Sequence, residues 1–88
     1  MTDIGQIKDA VRKTMTDQFG AVKVRDIKVN EETDDFGDAV LRIDVIFDGN
    51  SLNPKGVAGF VRSLRPRLTH MREFAFPLLT FISSSEQR

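Results

Sequence analysis

The segment Val40, Leu41, Arg42, Ile43, Asp44, Val45, Ile46, Phe47, Asp48 sets Leu41, Ile43, Val45 and Phe47 on every second position. Arg42, Asp44 and Asp48 fill places between them. A period of two predicts a strand over 39–48 with one face packed and one face wet. The wet face then carries Val40, Arg42, Asp44, Ile46 and Asp48, with Lys28 across from them on a neighbouring strand. Ile4, Ile7, Val11, Met15 and Phe19 recur at spacings of three and four, which predicts a helix over 3–19. Asp3 is a suitable N-cap, Gln6 completes a capping-box spacing, and Gly20 supplies the stop.

Residues 21–30 read as a strand whose two apolar pairs, Val22 with Val24 and Ile27 with Val29, are out of phase. One extra residue restores the phase, so a bulge is expected near Arg25 and Asp26. Residues 31–38 are a polar loop, too long for a two-residue hairpin turn. Gly49, Asn50 and Ser51 make the next turn, and Asn53 followed by Pro54 starts a second helix. That helix carries Val57, Val61, Leu64, Leu68 and Met71, with Phe60 beside them. Pro66 is expected to kink it or to begin a second short helix. Residues 75–82 read as a last strand, with Pro77 at its start or on an edge, and Ser83 to Arg88 as a frayed tail.

These elements predict an α+β fold, a single two-layer domain over 1–88. The order is helix, strand, strand, kinked helix, strand, with both helices on one face of a three-stranded sheet. The 88 residues give a thin core, which association with a partner would help to stabilise.

The chain has no cysteine, tyrosine or tryptophan and a single histidine, His70. Thiolate and disulfide chemistry are excluded, and a cytoplasmic location is expected. The N-terminal segment does not read as a signal peptide, and no apolar run approaches a membrane span. His70 falls near the end of the second helix, where a cation suits the helix dipole. A Ser–His–Asp arrangement would need His70 to meet an activated serine, and Ser83 to Ser85 lie in the expected tail. We therefore expect no enzyme, no cofactor and no small-molecule substrate.

Formal charge is zero overall but uneven: net −6 over residues 26–50 and net +4 over 51–88. The acidic loop of Glu31, Glu32, Asp34, Asp35 and Asp38 lacks the spacing of a calcium loop and reads as solvated. Phe36 at its tip either folds back onto the core or anchors a partner. Lys55, Arg62, Arg65, Arg67 and Arg72 make the second helix basic, and Arg62 and Arg65 share a face. Phe36, Arg62, Arg65 and Arg67 are the candidate partner-binding residues. The partner expected is another protein or a second copy of the chain, since opposed charge patches steer association.

The order of elements resembles that of type II KH domains, the family of ribosome-binding factor A. The stretch Ala58, Gly59, Phe60, Val61, Arg62, Ser63, Leu64 is similar to the kinked entry to that family's last helix, and Gly56, Val57, Ala58, Gly59 has a GxxG spacing. Residues 49–57 leave little room for the helix which that family carries before the kink. The resemblance implies an RNA-binding or ribosome-associated module, with Lys55, Arg62, Arg65 and Arg67 on phosphates. The wet sheet face as read above has no aromatic side chain on which bases could stack.

Overall fold

A computed structural model of the chain describes residues 3–20, 22–49, 51–71 and 73–85. Asn50, Arg72 and the end of the expected tail, Glu86 to Arg88, lie outside the described residues. Five elements follow one another: α1 (Ile4–Phe19), β1 (Val24–Thr33), β2 (Ala39–Phe47), α2 (Pro54–His70) and β3 (Phe76–Ser83). They form an α+β fold in which the sheet order is β1-β2-β3. β1 and β2 pair antiparallel, and β2 and β3 pair parallel. A parallel pair needs a crossover, and α2 supplies it.

α1 begins where expected: the Asp3 carboxylate accepts from the Gln6 N–H at 3.1 Å, satisfying one of the orphan donors of the first turn. It ends at Gly20, whose φ is 48°. α2 begins with Asn53 as N-cap and Pro54 in the first turn. It runs through Pro66 as one helix to His70, so no second helix begins at Pro66.

One face of the sheet is covered by both helices. Leu41, Ile43 and Val45 are fully buried there and Phe47 nearly so. Leu41, Ile43 and Val45 pack with Ile7, Val11 and Met15 of α1 and with Phe60, Leu64 and Leu68 of α2. Phe81 of β3 receives Phe60 edge-on at 5.2 Å and Phe19 edge-on at 6.4 Å. The buried stripe of α2 is Phe60, Leu64, Leu68, whereas Val61 is 37% exposed. The expected stripe was therefore rotated by about one position. Phe60 is the largest apolar side chain on the helix, and its burial sets the helix's roll.

The predicted phase change in β1 is present. The register shifts between Val24 and Asp26, after which Ile27 faces Val45 and Val29 faces Ile43. Glu31, Glu32 and Thr33, expected in the loop, instead continue β1 opposite Leu41, Val40 and Ala39. Their backbone groups find partners on β2, and that outweighs their polar side chains. Only 34–38 remain as the turn. Asp34 closes it, its carboxylate accepting from the N–H groups of Phe36 and Asp38, each at 2.9 Å.

Two further expectations are corrected. Val40 and Ile46 lie on the face away from the helices but are buried, at 7% and 2% exposure. β2 is the central strand, so neighbours on both sides shield them: Glu32 and Phe76 flank Val40, and Asp26 and Ile82 flank Ile46. Ser83 is not the start of a tail. It ends β3, is buried, and donates to the Gly49 carbonyl. Ser84 adds an N–H bond to Phe47 O and a hydroxyl bond to Asp48, both 2.8 Å.

Candidate interaction surface

The face of the sheet that no helix covers is divided along its length. Its β1 and β2 half is charged. Lys28 lies opposite Asp44, and Arg42 donates to Glu32 at 2.6 Å across the two strands. That hydrogen bond, followed by Glu32's charge and a smaller pull from Asp44, raises the Arg42 guanidinium above its ordinary pKa. Its β3 half is apolar and carries Phe76, Leu78 and Ile82, with Thr80 the only polar side chain. Phe76 is 52% exposed and Leu78 38% exposed. Just before β3, Phe74 is 75% exposed.

The two outer edges of the sheet differ in the same sense. β1 carries Arg25, Asp26, Lys28, Glu31 and Glu32 and is broken by the bulge. Natural sheets use such devices to discourage pairing with another chain. β3 runs eight residues, Phe-Pro-Leu-Leu-Thr-Phe-Ile-Ser, with no charge. Among the described residues it pairs with β2 alone. Its outward backbone groups are left to water, and only Pro77, at its second position, resembles a guard.

Arg65 connects the basic helix to this edge. Its guanidinium sits 5.4 Å from the centroid of the Phe76 ring. Such an exposed cation–π contact contributes about 0.5–1 kcal/mol. It holds the ring beside a small cleft that Arg65, Leu68, Phe74 and Pro77 help to line.

The other candidate residues are dispersed. Phe36 is 90% exposed and does not fold back onto the core; the Asp34-centred turn leaves its ring outside. Arg67 is spent within the fold. It donates to the Thr14 hydroxyl at 2.6 Å and to the Asp17 carboxylate at 2.5 Å, tying α2 to α1. Lys55 and Arg62 are exposed on α2. An open groove of about 480 Å³ between α1 and α2 is lined by Ala10, Lys13, Pro66, His70 and Met71, among others. Asp9 and Arg67 also line it, and Arg67 is the residue already bonded to Asp17.

Gly56 and Gly59 lie inside α2. A Cβ at Gly56 would meet the Phe19 ring, and one at Gly59 would meet the Gln18 side chain. The pair lets α1 and α2 approach closely. Among the described residues, no group of three or more His, Cys, Asp or Glu is placed to hold a metal ion, and no helix is long and apolar enough to cross a membrane.

Sequence reasoning missed Phe74, Phe76 and Leu78. The signal was present, since the stretch from Phe74 to Ser85 contains no charged residue, but apolar strands are ordinarily buried on both sides. No protein-family model, curated protein or solved structure matches this chain.

Proposed function

We propose that the chain is a non-enzymatic binding domain that acts by protein–protein contact, with a partner subunit or a second copy of itself, through β3 and the apolar half of the uncovered sheet face. The observation that carries this reading is the asymmetry of the two edges. β1 is bulged and charged, whereas β3 is neutral, apolar and eight residues long. An extended segment adding to such an edge gains backbone hydrogen bonds, and alternate side chains supply specificity. Phe76 and Phe74 are aromatic anchors of the kind that carry binding energy. The inventory of reactive groups supports the same reading: one histidine, His70, and no cysteine.

A second reading, contact with RNA phosphates, is favoured by one feature. No acidic residue occurs from Ser51 to Arg72, and Lys55 and Arg62 are exposed within that stretch. Arg67, already paired with Asp17, contributes less to it.

Affinity capture from native extract separates the two. Immobilised wild-type chain is compared with Leu78→Lys and with Arg62→Glu, before and after nuclease treatment. A protein retained after nuclease and lost with Leu78→Lys is the expected result. Recovery of RNA alone, lost with Arg62→Glu and steeply weakened by salt, would overturn it.

A further inference from the structure

We infer that the occupant of the β3 edge is a second copy of the chain, whose β3 pairs antiparallel across a two-fold axis to make one six-stranded sheet. This rests on the reading of β3 as the binding edge. The self-complementarity of the strand points to it. With Thr80 on the axis, Thr80 meets its own copy, Leu78 meets Ile82 and Leu79 meets Phe81 of the second copy. The four apolar positions from Leu78 to Ile82 then oppose one another, Pro77 meets Ser83, and the central pair is threonine on threonine, a favourable cross-strand match. No like charges are brought together, because β3 has none.

The same register sets Phe76 opposite Ser84 of the second copy, twice by symmetry. The Arg65 guanidinium lies over the Phe76 ring, and the Asp48 carboxylate bonded to Ser84 is already paired with Arg25 at 3.7 Å. The alternative head-to-tail pairing, β3 onto a neighbour's β1, meets a bulge and five charged side chains and would not close.

The area sets the strength. Phe74, Phe76 and Leu78 expose on the order of 300 Å² of mostly apolar surface, against ~800 Å² per partner in a standard stable interface. The backbone ladder adds to this, and a weak, concentration-dependent dimer is expected.

The chain has no cysteine, so a single one introduced at Thr80 reports directly. Sedimentation equilibrium of the wild type over a wide concentration range is run beside mild oxidation of Thr80→Cys and of Lys28→Cys, a control on β1. Expected are a mass that rises from monomer towards dimer, and cross-linking of Thr80→Cys about tenfold or more faster than of Lys28→Cys. Leu78→Lys, with its circular dichroism unchanged, should weaken the dimer by about tenfold or more, since it sets charge against apolar surface. A wild type monomeric at several hundred micromolar, or equal cross-linking at both cysteines, overturns the self-pairing. If that monomer still loses a nuclease-resistant captured protein on Leu78→Lys, the binding-edge reading stands. If capture is indifferent to Leu78→Lys, both fail.

Discussion

The ring of Phe19, at the last position of α1, occupies the space that a side chain at position 56 of α2 would need. Phe19 also stands edge-on to Phe81 of β3. Gly56 therefore lets the end of α1, the start of α2 and the sheet close on one another. The neighbouring contact, Gly59 against Gln18, differs in kind, because Gln18 ends in a flexible amide that donates to the Ser63 hydroxyl at 3.1 Å.

The two glycines should respond differently to alanine. Alanine gains about 1 kcal/mol of helix propensity at either place. At Gly56 the methyl displaces a packed ring, an overpacking cost of about 1–3 kcal/mol, so Gly56→Ala is expected to lower stability by ~1 kcal/mol net. At Gly59 the amide can swing aside, so Gly59→Ala is expected to stay within about 0.5 kcal/mol of wild type. Urea denaturation of both variants measures this; a Gly59→Ala cost larger than that of Gly56→Ala contradicts it.

Arg67 should couple α2 to α1 through Asp17. Both side chains are partly exposed, at 37% and 52%, so the pair is expected to contribute only about 0.5–1 kcal/mol. A double-mutant cycle of Arg67→Met and Asp17→Asn, read by denaturation at low and at high salt, should show that coupling and its decline with salt. Thr14 keeps its own bond to Ala10 O at 2.7 Å, so Arg67→Met leaves no buried hydroxyl unsatisfied.

Pro66 removes an N–H from the interior of a helix that continues past it. Proline in a helix interior costs about 3 kcal/mol relative to alanine, part of which is offset by the restricted unfolded chain. Pro66→Ala is expected to raise stability by ~1 kcal/mol or more. A fall in the thermal midpoint would show that the proline shapes α2 for its packing.

Phe36 and Phe60 provide a direct contrast. Phe36 is 90% exposed and Phe60 fully buried. Phe36→Ala should change stability by less than about 0.5 kcal/mol, and Phe60→Ala should cost about 3–5 kcal/mol, enough to unfold much of a small domain. Equal losses would place the Phe36 ring against the protein.

The elements themselves were legible along the chain, because each signal is local. The stripe Ile7, Val11, Met15, the Asn53–Pro54 start, the alternation around Ile43 and the phase slip at Arg25 all act within a few residues. The uneven charge, net −6 over residues 26–50 and net +4 over 51–88, was legible as well. What lay beyond reach was whatever depends on which elements become neighbours. The place of β3 beside β2 leaves one neutral edge open and covers Val40 and Ile46 on the outer face. The pairing of Arg67 with Asp17, 50 residues away, ties up a cation that the sequence offered to a partner. The close approach of α1 at Gly56 and Gly59, against Phe19 and Gln18, joins residues far apart in the chain. A backbone period records only whether a side chain has a wet side and a dry side; the identity of the neighbour on each side is set by long-range pairing, which no short window of sequence contains.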